Sequence, residues 1–222
     1  MTATTRRRSA LTAAVVAALI LLVWVLLRPH PLEDPVRKAQ PQQPAPQAVA
    51  TGSTLKPKPC YRPATSPFTP THITVPGVTQ DSTVLALPRD SANVPQAPPI
   101  SSAGKLQFAW SIAPDPMPGE AKGNVLMNAH TWPDGTAMGN KLLAGLQVGD
   151  RLILRGHSAD GKRQTLCYEV TKRDVIVAAN GSYEYYERNG PPQIALIVCS
   201  PPRLGPGNWQ NRTIWYASPL SG

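Results

Sequence analysis

Gln193-Ile194-Ala195-Leu196-Ile197-Val198-Cys199 is a short apolar run that ends on a thiol. A run of this length, rich in β-branched residues, reads as a buried strand that delivers Cys199 to a domain edge. Two other runs share the pattern. Val125-Leu126-Met127-Asn128-Ala129 leads into His130, and Arg212 opens Thr213-Ile214-Trp215-Tyr216-Ala217. Three strands therefore each present one reactive side chain: a thiol, an imidazole and a guanidinium.

Working outward, the segments His72–Val75, Ser82–Leu87, Leu106–Ile112, Asn124–His130, Arg151–Arg155, Gln164–Thr171, Asp174–Ala178, Gln193–Cys199 and Arg212–Ala217 all read as strands. Pro76-Gly77, Pro118-Gly119 and Asp160-Gly161 separate them with turn chemistry. Only Met138–Leu146 reads as a helix, with Leu142, Leu143 and Leu146 on one face. Eight or nine strands and one or two short helices predict an all-β domain, a closed or nearly closed eight-stranded β-barrel. The segment from Ala179 to Pro191 is long, aromatic and acidic, and it leads into the Cys199 strand. Tyr183, Tyr185 and Tyr186 in it are candidates for a substrate-groove wall. The alternative is a surface turn whose rings pack on the barrel.

The chain opens with Arg6-Arg7-Arg8 and a charge-free run from Ala10 to Leu27 in which Thr12 is the one polar residue. Such a run spans about 27 Å as a helix, close to a hydrocarbon core of about 30 Å. The arginines before it keep the N-terminus cytoplasmic and place the remainder outside the membrane. The run is longer than a signal-peptide core and lacks an A-x-A-like cleavage site, which favours an uncleaved anchor. Three parts are expected: a cytoplasmic tail and transmembrane anchor over 1–28, a Pro-rich extracytoplasmic spacer over 29–69, and a catalytic domain over 70–222. The spacer's Pro, Gln and Ala bury too little apolar surface to offset ordering entropy.

The net charge of +9 belongs mostly to the anchor flank and spacer; residues 63–222 carry 13 basic and 11 acidic residues. No basic stripe with interleaved aromatics marks the domain, so nucleic acid is not an expected partner. His30, His72, His130 and His157 are scattered without Cys or carboxylate neighbours at ligand spacing, so neither a metal nor another cofactor is expected.

A nearby positive charge turns a thiol into a nucleophile, and an imidazole can take and return a proton. A guanidinium cannot deprotonate and suits the oxyanion formed when a thiolate attacks a carbonyl. Taken singly, each residue has an ordinary structural role. A buried Cys is commonly inert, a strand-end His is commonly a packing residue, and an Arg beside a strand is commonly a solvated charge. Their combination is what points to acyl transfer.

The ordered motifs resemble those of the sortases, the membrane-anchored cysteine transpeptidases of Gram-positive bacteria, from about Pro70 to Leu220. Ile73-Thr74-Val75-Pro76-Gly77-Val78 is similar to the opening I-x-I-P-x-I strand of that family. Trp110, Pro118-Gly119-Glu120 and Gly123-Asn124 resemble the approach to a catalytic histidine, which falls on His130 in Asn128-Ala129-His130-Thr131. Leu143-Ala144-Gly145-Leu146-Gln147-Val148-Gly149-Asp150 matches the L-x-x-L-x-x-G-D pattern. The T-L-x-T-C strand falls on Ala195–Cys199, and the family arginine on Arg212. The spacer and single anchor look most like classes E and F, common in actinobacteria.

The resemblance implies a sortase-like barrel in which His130, Cys199 and Arg212 are catalytic, with Arg203 as a rival for the arginine role. It implies cleavage of an LPxTG-like sorting signal between Thr and Gly and transfer of the acyl group to an amine of a cell-wall precursor. A monomer at the cell membrane is expected. Ala195 and Val198 stand where the family has threonines, which makes Val198 a groove position of altered chemistry. Cys60 and Cys167 either pair, stapling the spacer to the barrel and leaving Cys199 as the odd thiol, or are a linker thiol and a core residue. Two other functions remain open at this level: a hydrolytic cysteine peptidase and a catalytically silent wall-binding module.

Overall fold

In the computed structural model, residue 64 and residues 66–220 are described. The anchor run Ala10–Leu27, the spacer up to 63 and Cys60 lie outside them. Eight strands close into a barrel: β1 (Phe68–Val75), β2 (Thr79–Leu87), β3 (Phe108–Ser111), β4 (Asn124–Ala129), β5 (Arg151–Ser158), β6 (Arg163–Val177), β7 (Gln193–Gly205) and β8 (Asn208–Pro219). The order around the barrel is β1-β2-β3-β4-β7-β8-β6-β5. Two neighbouring pairs, β2 with β3 and β4 with β7, are parallel. Parallel pairing demands long crossovers, and these two crossovers build the functional site.

Period-two burial drives the closure. Leu152 and Leu154 of β5, Leu166, Tyr168 and Val170 of β6, Leu196 of β7 and Trp215 of β8 pack into one interior cluster. The apolar runs of β4 and β7 do not alternate because both faces are covered. Val125 and Met127 face the interior with Ile194 and Leu196. Leu126 and Ala195 lie in a second cluster outside the barrel, with Tyr185, Ile214 and Tyr216. Parallel strands buried on both faces read as continuous hydrophobic runs for this reason.

The one α-helix among the described residues, α1 (Met138–Gly145), ends at the C-cap Leu146, as the Leu142–Leu146 spacing predicts. Met138, Leu142 and Leu146 join the interior cluster, and burying one such leucine contributes about 1.5–3 kcal/mol. The Trp215 indole N–H donates to the Leu146 carbonyl at 3.1 Å, which satisfies a helix-end acceptor inside the core.

Two boundaries differ from the sequence reading. The predicted strands Gln164–Thr171 and Asp174–Ala178 are one strand, β6, with a register shift between Val170 and Lys172. That shift is why nine candidates become eight. The strand expected to end at Cys199 instead continues through a proline-rich stretch to Gly205 and forms a hairpin with β8. Its register shifts at Ser200/Arg203 and Arg203/Gly205, where Pro201 and Pro202 have no N–H for the ladder. Cys199 therefore lies in the middle of β7 rather than at its end.

Candidate active site

Cys199 stands directly opposite Arg212 in the β7–β8 ladder. Both lie on the outer face, because Val198, one residue earlier, belongs to the interior cluster. On the same outer face Asn128 of β4 is paired with Ile197 of β7. His130 follows β4 by one residue. Cys199, Arg212 and His130 all line one groove of about 690 Å³, whose floor is the outer face of β4, β7 and β8.

The position of His130 is set by its neighbours in sequence and by α1. The Gly139 N–H donates to the His130 carbonyl at 2.7 Å. A Cβ at Gly139 would collide with Thr131 Oγ1 and the His130 carbonyl, so only glycine permits this approach. The Asn140 side-chain oxygen accepts from the Trp132 N–H at 2.9 Å, and its amide donates to the Trp132 carbonyl at 3.1 Å. Thr131 Oγ1 donates to the Cys199 carbonyl at 2.6 Å, coupling the histidine turn to the thiol strand.

Burial pushes the Cys199 thiol pKa up, and the Arg212 charge opposes that rise without cancelling it. Arg212 donates from Nη1 to the carbonyls of Trp209 at 3.0 Å and Asn211 at 2.9 Å. Those bonds anchor Nη1 of the guanidinium, whose planar fork carries further donors. Arg203, the rival in sequence, is exposed and is not among the groove residues.

The β6–β7 and β2–β3 connections form the walls. The β6–β7 connection is fastened to β4: the Asn124 amide donates to the carbonyls of Glu184 at 2.7 Å and Tyr185 at 3.1 Å. Tyr185 and Tyr186 line the groove. Tyr185 is also buried in the outer cluster, so both of its sequence readings apply at once. Tyr183, a groove candidate in sequence, is 99% exposed and does not line it. It opens the turn that the Tyr186 N–H closes on its carbonyl at 3.1 Å, and its ring meets solvent. Val198 borders the groove, but its side chain packs inside the barrel; Ile197 is the apolar side chain that faces outward.

The β2–β3 connection supplies the other wall through Val94, Pro95, Ala97 and Ile100. It is tied down at Asp115, which accepts from Arg89 Nε at 2.8 Å and Nη2 at 2.6 Å, from Ser111 at 2.7 Å and from Arg188 at 3.2 Å. Burial alone would raise the Asp115 pKa. The hydrogen bonds from Arg89 and Ser111 and the Arg89 charge outweigh it, and the carboxyl lies below the usual carboxylate range. Arg89 also stacks 5.1 Å over the Tyr186 ring, so one ion pair joins the two walls.

Sequence reasoning singled out neither Thr131 Oγ1, nor Asn128, nor this Arg89–Asp115 pair. The first two were in view within the histidine motif. The pair spans 26 residues and carried no local signal.

Cys167 is disulfide-bonded and Cys199 is a free cysteine. The partner expected for Cys167, Cys60, lies outside the described residues. Among the described residues no group of three or more His, Cys, Asp or Glu is placed to hold a metal. Among them, too, no helix is long and apolar enough to cross a membrane.

No protein-family model matches the chain, and no curated protein matches it. Among solved structures, it is similar to sortase C1 of Streptococcus agalactiae in complex with MTSET, at 18% identity over 68% of this chain and 67% of that one, with a TM-score of 0.47. Listeria monocytogenes sortase A is 17% identical over 68% of this chain and 86% of its own, with a TM-score of 0.45. Sortase C1 from Streptococcus suis is 17% identical over 69% of this chain and 73% of its own, with a TM-score of 0.48. Likeness at this level assigns neither an activity nor a role to any residue here.

Proposed function

We propose that the protein is a sortase-type cysteine transpeptidase. The observation that carries this reading is Cys199 opposite Arg212 in the β7–β8 ladder, with His130 lining the same apolar groove. An LPxTG-like peptide would lie along the floor of β4 and β7, its apolar residues against Ile197, Tyr186 and the β2–β3 wall. Cys199 Sγ attacks the Thr carbonyl carbon while the thiol proton passes to His130. Arg212 donates to the oxyanion that forms. The tetrahedral adduct collapses, the C–N bond breaks, and the departing glycine amine takes the proton from His130. A second amine, that of a cell-wall precursor, then attacks the thioacyl carbon and regenerates the thiol.

The disulfide at Cys167 suits an oxidising, extracytoplasmic compartment. That compartment agrees with an anchor over 1–28, a spacer over 29–69 and a Cys60–Cys167 staple. The test is direct: incubate the protein with an LPxTG-type peptide and an amine acceptor and measure ligated product. Wild type is expected to form it and Cys199→Ala to form none; undiminished ligation by Cys199→Ala contradicts the proposal.

A further inference from the structure

His130 Nε2 lies 2.6 Å from the carbonyl oxygen of Pro98. A carbonyl can only accept, so the imidazole donates from Nε2. Among the described residues no hydrogen bond reaches Nδ1. Two residues earlier, on β4, the arrangement is repeated: the Asn128 amide donates to the Gln96 carbonyl at 3.0 Å. The segment Gln96–Pro98 thus lays two backbone carbonyls on two side chains at the end of β4, each 32 residues away in sequence.

The segment is built to stay there. Arg89 and Pro95 form a β-bridge, and the Gln96 N–H donates to the Pro88 carbonyl at 3.2 Å. Asp90 Oδ1 accepts from the N–H groups of Ala92 and Val94, each at 2.9 Å. The Arg89–Asp115 ion pair fixes its start. Beyond it, the Pro99 carbonyl accepts from the Ser101 N–H at 2.9 Å, and Gly104 packs so closely on Pro99 that a Cβ would overlap it. Lys105 then contacts the histidine turn, 4.5 Å over the Trp132 ring and 2.7 Å from Asp134. Pro98 itself is buried. Prolines at 95, 98 and 99 restrict the backbone between these fastenings.

We infer that the Pro98 carbonyl is the positioning group for His130, holding Nε2–H and leaving Nδ1 as the nitrogen that exchanges protons in the groove. It takes the place that a side-chain amide or carboxylate holds beside a catalytic histidine in other nucleophilic sites. Under the proposed function, on which this role rests, Nδ1 receives the Cys199 proton and later gives it to the leaving amine. Nε2–H stays bonded to Pro98 throughout, so the ring neither flips nor exchanges tautomers during turnover.

The test is nitrogen NMR of the full chain labelled in histidine, with the His130 signals assigned by their loss in His130→Gln. The neutral ring should show a protonated Nε2 and an unprotonated Nδ1. An Nδ1–H tautomer, or averaging between the two, overturns the inference. A Pro98→Gly/Pro99→Gly variant keeps the carbonyl but releases it. Its kcat for transpeptidation should fall about 10–100-fold with KM within about twofold, and its His130 signals should average. Unchanged or faster turnover would mean that the carbonyl obstructs the ring or leaves it unaffected, and overturns the role. Absence of transpeptidation in the wild type would refute the enzyme reading alone, since the tautomer is read without any substrate.

Discussion

Val198 and Cys199 are neighbours on one strand, yet they belong to different parts of the molecule. Val198 packs inside the barrel with Leu196 and Trp215, whereas Cys199 faces the groove opposite Arg212. The inner face of β7 is a close-packed core in which volume decides the outcome. Its outer face is a half-covered floor where charge and hydrogen bonding decide it. Substitutions one residue apart should therefore fail in different ways, the inner ones through stability and the outer ones through chemistry.

The largest separation is expected at the thiol. Cys199→Ala should lower transpeptidation by at least about 10³-fold while shifting unfolding free energy by less than about 1 kcal/mol, as read by product assay and urea melts. Loss of activity that tracks loss of fold would erase the distinction between the two faces. Arg212→Lys keeps the charge but loses the fork, and kcat should drop by about 10²–10³. A drop of less than about threefold would remove Arg212 from the oxyanion role. On the inner face, Leu196→Ala should cost about 2–5 kcal/mol, with the alkylation rate of Cys199 in the folded protein unchanged.

Asp115 tests the walls against the floor. Its folded pKa is depressed, so the stability it contributes is present above the unfolded value, about 3.9, and is lost as pH falls through the folded one. Asp115→Asn should remove about 2 kcal/mol at neutral pH and flatten the loss of stability below about pH 4. An unchanged acid-unfolding profile would mean that the Arg89–Asp115 pair does not hold the walls. The smallest effect should come from Val198→Thr, which installs the hydroxyl expected from the family resemblance. Because that side chain points into the core, the change should cost about 1–2 kcal/mol and leave peptide preference unaltered. A new preference for substrate would show that the side chain at position 198, which borders the groove, contacts the peptide.

How much of this was legible in the sequence follows from the range of each interaction. The strands and α1 were readable because their apolar periodicity is local; Leu142 and Leu146 fix the helix in the core. His130, Cys199 and Arg212 stood out as candidates from their places beside apolar runs, and the ladder brings two of them face to face. The inner and outer faces of β7 were not separable, because a strand covered on both sides shows no alternation. That is why the sequence could not show that Val198 borders the groove while its side chain packs inside the barrel. Tyr183 shared the composition of Tyr185 and Tyr186, and nothing local told which rings would turn inward. The Pro98 carbonyl was out of reach altogether: a backbone acceptor carries no residue type, and its prolines read as turn punctuation.

The most direct measurement is mass spectrometry of the protein quenched during turnover of an LPxTG-type peptide, followed by peptide mapping. The expected result is a thioacyl adduct on Cys199 that disappears when an amine acceptor is added and never forms in Cys199→Ala. Turnover of the peptide with no adduct on Cys199, and undiminished in Cys199→Ala, would contradict nucleophilic catalysis from the outer face of β7.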